Sequence, residues 1–222
     1  MTGRCIIITA HMEGSVGEKI KPEKDDIFLC ADGGYLYARE EGIIPAAIIG
    51  DFDSIGDPPG AVAGGATEIL RLPREKDDTD TMACVRWGLA RGYADFIILG
   101  GLGGRFDHSY ANIQALSYIV DSGCKARIID GSNGLFMIAG GTEKAAITLS
   151  PIAGYKFSLF AFDARCEGVS VTGAMYSLDQ AALTQSFPLG VSNEFIPGED
   201  VHIAVKKGKL LIIISMDDDK TA

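Results

Sequence analysis

The chain has 222 residues, 47% of them hydrophobic, which is enough to bury a sizeable core in one large domain or two small ones. Its 30 acidic and 20 basic side chains give a formal charge of −10, which disfavours broad electrostatic binding of nucleic acid or anionic membranes. Apolar runs reach only strand length and the N-terminus lacks the pattern of a signal peptide, so we expect a soluble, cytoplasmic protein without membrane contacts.

The first 130 residues alternate short apolar runs with helical stretches, which is typical of βαβ units around a mainly parallel sheet. We predict strands over residues 5–9, 27–31, 46–49, 96–99 and 126–129. Helices are predicted over 35–41, from Thr79 or Asp80 to just before Gly92, and over 109–121, because each stretch carries an apolar face and stops at a glycine.

After about Gly140, apolar and polar residues alternate, for example over 156–162 and 169–172, which indicates half-buried antiparallel strands in a small sandwich or barrel. Two further predicted strands, 201–205 and 209–214, flank Gly208, where a glycine favours a tight hairpin. We therefore expect an α/β domain over residues 1–140 and a β domain over 141–222. The acidic tail, 217–222, is expected to be disordered.

The cysteines, five in number, are widely separated, and no Cys-x-x-Cys pair indicates zinc binding or disulfide exchange. We expect most of them to be buried thiols in a reducing compartment.

A Gly-Asp-Phe-Asp-Ser segment, residues 50–54, follows the third predicted strand. In an extended segment Asp51 and Asp53 would point to one side, with Phe52 opposite. Two carboxylates facing one point fit Mg²⁺, whereas a zinc site would need a His and Cys cluster. The alternative is a polar turn in which one aspartate caps the chain.

A second acidic segment, Lys-Asp-Asp-Thr-Asp at residues 76–80, precedes a predicted helix. Asp77 and Asp80 would share a face of its first turn, where one can bind a metal ion while the other orients it. Capping by Asp78, Thr79 or Asp80 is the alternative explanation.

A third segment, residues 100–108, reads Gly-Gly-Leu-Gly-Gly-Arg-Phe-Asp-His and resembles a phosphate loop, although it matches neither the Walker nor the dinucleotide pattern. Glycines let main-chain amides approach an anion, and the next helix offers its positive end. Arg105 can clamp phosphate oxygens, and Asp107 can bind metal or accept a proton. The alternative is a plain strand-to-helix turn. A single histidine beside a helix cap, such as His108, more often makes a structural hydrogen bond than a direct contact with a ligand.

Asp32, followed by Gly33 and Gly34, also ends a predicted strand. It can join the acidic cluster, hydrogen-bond a ribose or a loop, or belong only to a tight turn. Because ligands of open α/β sheets sit at the carboxyl ends of the strands, we expect these segments to meet there.

The sequence resembles thiamine pyrophosphokinases over nearly its whole length. The resemblance rests on four motifs in order, at residues 31–34, 50–54, 76–80 and 100–108. A shorter Gly-Val-Ser-Asn-Glu-Phe segment, 190–195, is similar to the family segment that lines the thiamine pocket. The resemblance implies a Rossmann-like, ATP- and magnesium-binding α/β domain followed by a thiamine-binding antiparallel β-sandwich, assembled as a homodimer with the thiamine site at the subunit interface.

The resemblance also implies an activity: transfer of the pyrophosphate of ATP to the hydroxyl of thiamine, giving thiamine pyrophosphate and AMP, with Mg²⁺ required. It makes four carboxylates the magnesium and catalytic groups, namely Asp51, Asp53, Asp80 and Asp107. It assigns the ATP and phosphate site to Asp32, Asp77, Thr79, Gly101, Gly103, Gly104 and Arg105. It gives Ser192 and Asn193 the role of holding the aminopyrimidine ring of thiamine.

The sequence departs from the family pattern at three places: the loop 9–15 lacks an Asn-Gly or Gly-Gly pair, Lys76 stands where some relatives have glutamine, and no aromatic residue follows Phe195. Three alternative functions therefore stay open. They are a related pyrophosphokinase acting on another heterocyclic alcohol such as a hydroxymethylpterin, a metal-dependent phosphohydrolase, and a non-catalytic nucleotide or thiamine sensor.

Overall fold

The computed structural model describes residues 3–53, 67–73, 75, 78–141 and 145–217. Its contacts divide the chain into two compact units, Met1–Gly131 and Ser132–Ala222. No helix in these described ranges is long and apolar enough to cross a membrane.

The first unit contains a six-stranded parallel sheet. Its strands are β1 (Cys5–Ile8), β2 (Ile27–Ala31), β3 (Ala47–Gly50), β4 (Glu68–Arg71), β5 (Asp95–Leu99) and β6 (Lys125–Asp130). They lie in the order β6-β5-β1-β2-β3-β4, so the chain reverses its direction of travel across the sheet between β1 and β5. A cleft at the carboxyl ends is expected beside such a reversal.

Four helices belong to this unit: α1 (Val16–Lys19), α2 (Gly34–Glu40), α3 (Asp80–Ala90) and α4 (Phe106–Asp121). Helix α3 begins where predicted, because the Thr79 hydroxyl accepts the Met82 main-chain N–H at 3.1 Å. Helix α4 begins before the expected residue 109, directly at the end of the glycine-rich segment.

Two elements of this unit, α1 and β4, were not predicted. Helix α1 is a single turn, closed by a capping box between Ser15 and Glu18. Strand β4 forms the outer edge of the sheet, with Glu68, Ile69 and Arg71 exposed, and its two apolar residues are too few to form the apolar run by which the central strands were predicted.

The core of the first unit lies on the central strands. All four residues of β1 are fully buried, and Phe96, Ile97, Ile98 and Leu99 of β5 are at most 1% exposed. Strands buried on both faces appear as continuous apolar runs, which is why these elements were recognisable in the sequence.

The second unit is a sandwich of two four-stranded antiparallel sheets, as expected. Its strands are β7 (Asn133–Gly140), β8 (Ala145–Leu149), β9 (Tyr155–Ala161), β10 (Arg165–Thr172), β11 (Leu178–Thr184), β12 (Gly190–Glu194), β13 (Val201–Val205) and β14 (Gly208–Met216). One sheet has the order β12-β9-β14-β7 and the other β11-β10-β13-β8. Apolar side chains from both, including Phe157, Val169 and Ile212, share one core.

The hairpin predicted at Gly208 is wrong. Strand β13 pairs with β10 and β8, whereas β14 pairs with β9 and β7, so the chain crosses from one sheet to the other at this point. Gly208 does have a positive φ of 92°, as the prediction required. Instead of closing a hairpin, the turn is held by β10, because the Lys206 main-chain N–H donates to the Glu167 carbonyl at 3.0 Å.

The two units divide earlier than the expected boundary at residue 140. Strand β7 pairs with β14 along its whole length, from Asn133 opposite Ser215 to Gly140 opposite Gly208, and therefore belongs to the sandwich. Of the expected disordered tail, residues 218–222 lie outside the described residues.

Candidate functional site

Three carboxylates converge at the carboxyl ends of β2 and β3. Asp32 directly follows β2, Asp51 directly follows β3, and Asp53 lies two residues further on. One ligand oxygen from each lies within 4.8 Å of the others, which is a spacing that lets the three share a cation. The register of the neighbouring parallel strands, with Ala31 beside Ile49, brings these segments together.

The turn that presents Asp51 and Asp53 is not extended, contrary to the expectation. Phe52 has a left-handed φ of 61°, and the Asp53 main-chain N–H donates to Asp51 Oδ1 at 3.2 Å. The aromatic ring is only 3% exposed and packs into the core, while the Arg71 guanidinium lies over it, 5.2 Å from the ring centroid. Burial of Phe52 thus turns both aspartates outward.

Backbone strain is concentrated at the predicted site segments. In the part of the chain that the structure describes, four residues other than glycine have positive φ, and three of them are Asp32, Phe52 and Ser192. Such conformations persist where the surrounding structure holds them, and they are common at ligand sites.

A cleft of about 660 Å³ opens above the carboxylates. The predicted site residues that line it are Asp32, Asp51, Asp53, Thr79, Asp80, Gly101, Gly103, Gly104 and Arg105. His108 also lines it. The site segments from β2, β3, α3 and the glycine-rich loop therefore meet in one place, at the edge of the sheet where a ligand was expected.

Asp107 does not line the cleft, although its partner Arg105 does. Its carboxylate accepts hydrogen bonds from Arg105, at 2.6 Å from Nη2, and the two side chains are 63% and 75% exposed. The hydrogen bond from Arg105 lowers the pKa of the Asp107 carboxyl, so it is a weak proton acceptor in this arrangement. Asp77 lies outside the described residues, as do Lys76 and Ser54.

Ser192 and Asn193 belong to β12 in the second unit. The Asn193 side chain is 7% exposed, and its amide both accepts from the Tyr176 main-chain N–H at 3.1 Å and donates to the Tyr176 carbonyl at 2.7 Å. Ser192 is exposed, and its main-chain N–H donates to Ser158 Oγ at 3.0 Å. The two neighbours thus differ: the Asn193 side chain is buried and holds Tyr176, while Ser192 is exposed.

The loop after β1 is a part of the cleft that sequence reasoning missed. Thr9, Ala10 and His11 line it. The His11 carbonyl accepts the Gly101 main-chain N–H at 2.6 Å, and a β-carbon at Gly103 would lie 2.3 Å from the His11 imidazole. Its position directly after the central strand β1 could have identified it, because ligands of open α/β sheets bind where the strand order reverses.

Asn112 was also missed. It lies on the apolar face of α4, is 7% exposed, and donates from Nδ2 to the Gly101 carbonyl at 3.0 Å. A buried polar residue among apolar helix positions usually has a specific partner, which could have identified it in the sequence.

The electrostatic character of the cleft is acidic, since Asp32, Asp51, Asp53, Asp78 and Asp80 all line it. Arg86 forms an ion pair with Asp78, which offsets part of this charge. A cleft with such a surplus of carboxylates can hold a polyanion only together with cations.

Comparison with known proteins places both units in one family context. Family models match residues 21–128, described as thiamin pyrophosphokinase, catalytic domain, and residues 145–210, described as thiamin pyrophosphokinase, vitamin B1 binding domain. The chain is 31% identical over 196 residues to a thiamine pyrophosphokinase of Bacillus subtilis. The aligned residues cover 88% of this chain and 90% of that protein.

Solved structures show the same likeness. A crystal structure of thiamine pyrophosphokinase from Bacillus subtilis matches with a TM-score of 0.79 and 26% identity, over 97% of this chain and 100% of the other. A thiamin pyrophosphokinase family protein from Enterococcus faecalis matches with a TM-score of 0.78 and 25% identity, again over 97% and 100% of the two chains.

Proposed function

The chain belongs to the thiamin pyrophosphokinase family, and on that premise we propose that it transfers the pyrophosphate of ATP to the hydroxyl of thiamine, releasing AMP. The observation that carries the proposal is the convergence of Asp32, Asp51 and Asp53 with the glycine-rich loop in one cleft. Phosphoryl transfer requires mainly positioning and charge neutralisation, and this cleft has groups for both.

The carboxylate cluster fits magnesium. Its donors are hard oxygens, and Mg²⁺ in nucleotide enzymes is held by one or two carboxylates together with phosphate oxygens and water. We place the ion on Asp51 and Asp53, and we add Asp32, whose oxygen lies within 4.8 Å of theirs. Asp80, in the first turn of α3, lines the same cleft and completes the acidic wall. Bound Mg²⁺ would neutralise phosphate charge as it develops on the leaving group.

We place the ATP phosphates on the glycine-rich loop. Gly101, Gly103 and Gly104 line the cleft, and α4 begins immediately afterwards. Because the Gly101 N–H donates to the His11 carbonyl, the amides of Gly103 and Gly104 and the helix end are the groups that can face an anion. Arg105 is exposed and lines the cleft, so it can contact phosphate oxygens once it separates from Asp107. Thr79 lines the same cleft and would shape the nucleotide site, a role that the family resemblance also gives to Asp77.

In the reaction, the hydroxyl oxygen forms a bond to the β-phosphorus of ATP, and the bond from that phosphorus to the bridging oxygen of AMP breaks. The hydroxyl proton passes to a cleft carboxylate or to water. Asp107 would serve as proton acceptor or metal ligand only after Arg105 turns to the phosphates, because both of its carboxylate oxygens accept hydrogen bonds from Arg105.

We place thiamine on the segment around β12, at the interface of a homodimer. Five large apolar side chains on or next to this strand are between 47% and 65% exposed, namely Met175, Tyr176, Phe187, Leu189 and Val191. Exposed apolar patches of this kind mark interaction surfaces. Ser192 would contact the aminopyrimidine, while Asn193 would act by holding Tyr176.

A cytoplasmic location is proposed from the cysteines. Cys5, Cys30, Cys84 and Cys166 are buried, as is usual for the cysteines of proteins in a reducing compartment.

The deciding experiment measures AMP release from ATP with thiamine, with a hydroxymethylpterin, and with neither, each with Mg²⁺ and with a chelator. Thiamine- and Mg²⁺-dependent AMP with matching thiamine pyrophosphate is expected. AMP formed with the pterin instead would identify another heterocyclic alcohol as substrate. Nucleotide cleavage without any alcohol would favour a phosphohydrolase, and binding without turnover a sensor.

A further inference from the structure

Asp130, the last residue of β6, is a buried carboxylate that the proposed chemistry does not use. It is 3% exposed. Its Oδ1 accepts the Glu13 main-chain N–H at 2.9 Å, and its Oδ2 accepts the Leu102 main-chain N–H at 2.8 Å. One side chain thus connects two loops that are far apart in sequence.

Both donors belong to loops that line the cleft. Leu102 lies between Gly101 and Gly103 in the glycine-rich loop, and Glu13 follows His11 in the loop after β1. The loops also contact each other directly, because the Gly101 main-chain N–H donates to the His11 carbonyl at 2.6 Å. Asp130 therefore fixes the separation of two loops that form one rim of the cleft.

We propose that Asp130 is a positioning residue for the ATP phosphates, an inference that rests on the proposed function. By holding Leu102 and Glu13, it sets where the amides of the glycine-rich loop face the nucleotide. An ionised carboxylate can accept both hydrogen bonds, since each of its oxygens is only an acceptor.

An amide cannot replace it. Asn at this position offers one acceptor oxygen and one NH₂ group, so one of the two main-chain donors would face another donor and stay unsatisfied. The loop that loses its partner would move, and the alignment of phosphate-binding amides would be lost with it.

The test is Asp130→Asn in the full chain. We expect the KM for ATP, and the Kd for a non-hydrolysable ATP analogue with Mg²⁺ measured by calorimetry, to rise about tenfold or more, with the KM for thiamine unchanged. Amide hydrogen exchange should become faster at Glu13 and Leu102. Asp130→Glu keeps two acceptor oxygens and should recover part of the ATP affinity, and it serves as the test if the amide variant does not fold.

Asp26→Asn is the matched control. Asp26 is also a buried carboxylate that accepts main-chain N–H groups, from Arg4 at 3.4 Å and from Glu23 at 2.7 Å, but it precedes β2 and so lies at the amino ends of the strands. This change should lower stability and leave the KM for ATP unchanged.

Unchanged ATP affinity in Asp130→Asn would overturn the proposal, as would an equal loss of ATP affinity in Asp26→Asn. Failure of the proposed function can be told apart from failure of this proposal, because in that case the wild-type chain would release no AMP in response to thiamine. In that case analogue binding and amide exchange in the variants would still decide whether Asp130 holds the loops for a nucleotide.

Discussion

The α-carbon of Asp32 lies 2.9 Å from the point that a β-carbon on Gly50 would occupy. Asp32 Oδ1 lies 3.1 Å from the same point, so the absence of a side chain at position 50 is what lets the acidic ends of β2 and β3 stand side by side. The geometry of the carboxylate cluster therefore depends on glycine at position 50, the last residue of β3.

Gly50→Ala is therefore expected to displace Asp32 from Asp51 and Asp53. A shift of about 1 Å in a catalytic group can lower turnover by roughly ten- to hundredfold, and AMP release should fall by that amount. The Mg²⁺ concentration for half-maximal activity should rise as well. The control is Gly141→Ala, since among the described atoms nothing lies within 4 Å of a β-carbon there. Equal activity in the two variants would show that turnover does not depend on the observed position of Asp32.

Asp53→Asn should lower turnover far more than stability. Asp53 is exposed, so its replacement leaves the core intact, but it removes one charge from the proposed magnesium site. We expect a loss of about a hundredfold or more in AMP formation, because metal-bound charge stabilisation contributes several kcal/mol. Asp179→Asn makes the same chemical change at an exposed position of β11 and should be neutral. A large fall in melting temperature with unchanged activity would instead make Asp53 structural.

Ser192 and Asn193 should respond differently to alanine. Asn193→Ala leaves the main-chain N–H and carbonyl of Tyr176 without their partners and should cost roughly 2–4 kcal/mol of unfolding free energy. Ser192→Ala should leave stability unchanged and raise the KM for thiamine. Urea unfolding and steady-state kinetics measure both effects. If Ser192→Ala keeps the wild-type KM, the segment does not belong to the thiamine pocket.

We expect Asp26 to contribute to the loss of folding stability at low pH. Burial favours its neutral form, but hydrogen bonds from Arg4 and the Glu23 amide, with the charge of Arg4, hold the pKa of Asp26 below its usual value. The stability from its ionised form is therefore complete above the unfolded pKa of about 3.9 and is lost as the pH falls through the lower folded value. The difference in melting temperature between wild type and Asp26→Asn should shrink between about pH 5 and pH 2. A difference independent of pH would contradict this origin.

The cysteines should react slowly in the native protein. Burial, with the charge of Asp163, raises the pKa of Cys166 to about 11, and burial also raises the pKa of Cys5 and Cys30. Because the thiolate is the reactive form, alkylation at pH 8 should begin at the partly exposed Cys124 and reach all five thiols only after unfolding. Mass spectrometry after timed labelling gives the order, and early labelling of Cys5 would argue against the buried position of β1.

Local patterns in the sequence predicted the central strands, three of the helices and the candidate site segments. Fully buried strands such as β1 and β5 appear as apolar runs, and Thr79 marks the start of α3 because capping involves only neighbouring residues. Edge strand β4 escaped prediction because an edge strand is partly exposed to solvent, and only two of its four residues are apolar.

The sequence by itself determined which segments are candidates for the chemistry, since acidic and glycine-rich segments at strand ends are properties of short stretches. Only the tertiary structure decided which of them meet: Asp32 joins Asp51 and Asp53, whereas Asp107 turns to Arg105. It also decided that Asp130 binds Glu13 across 117 residues of chain. The reason is that strand order and sheet pairing are set by the packing of the whole core, and no window of neighbouring residues contains that information.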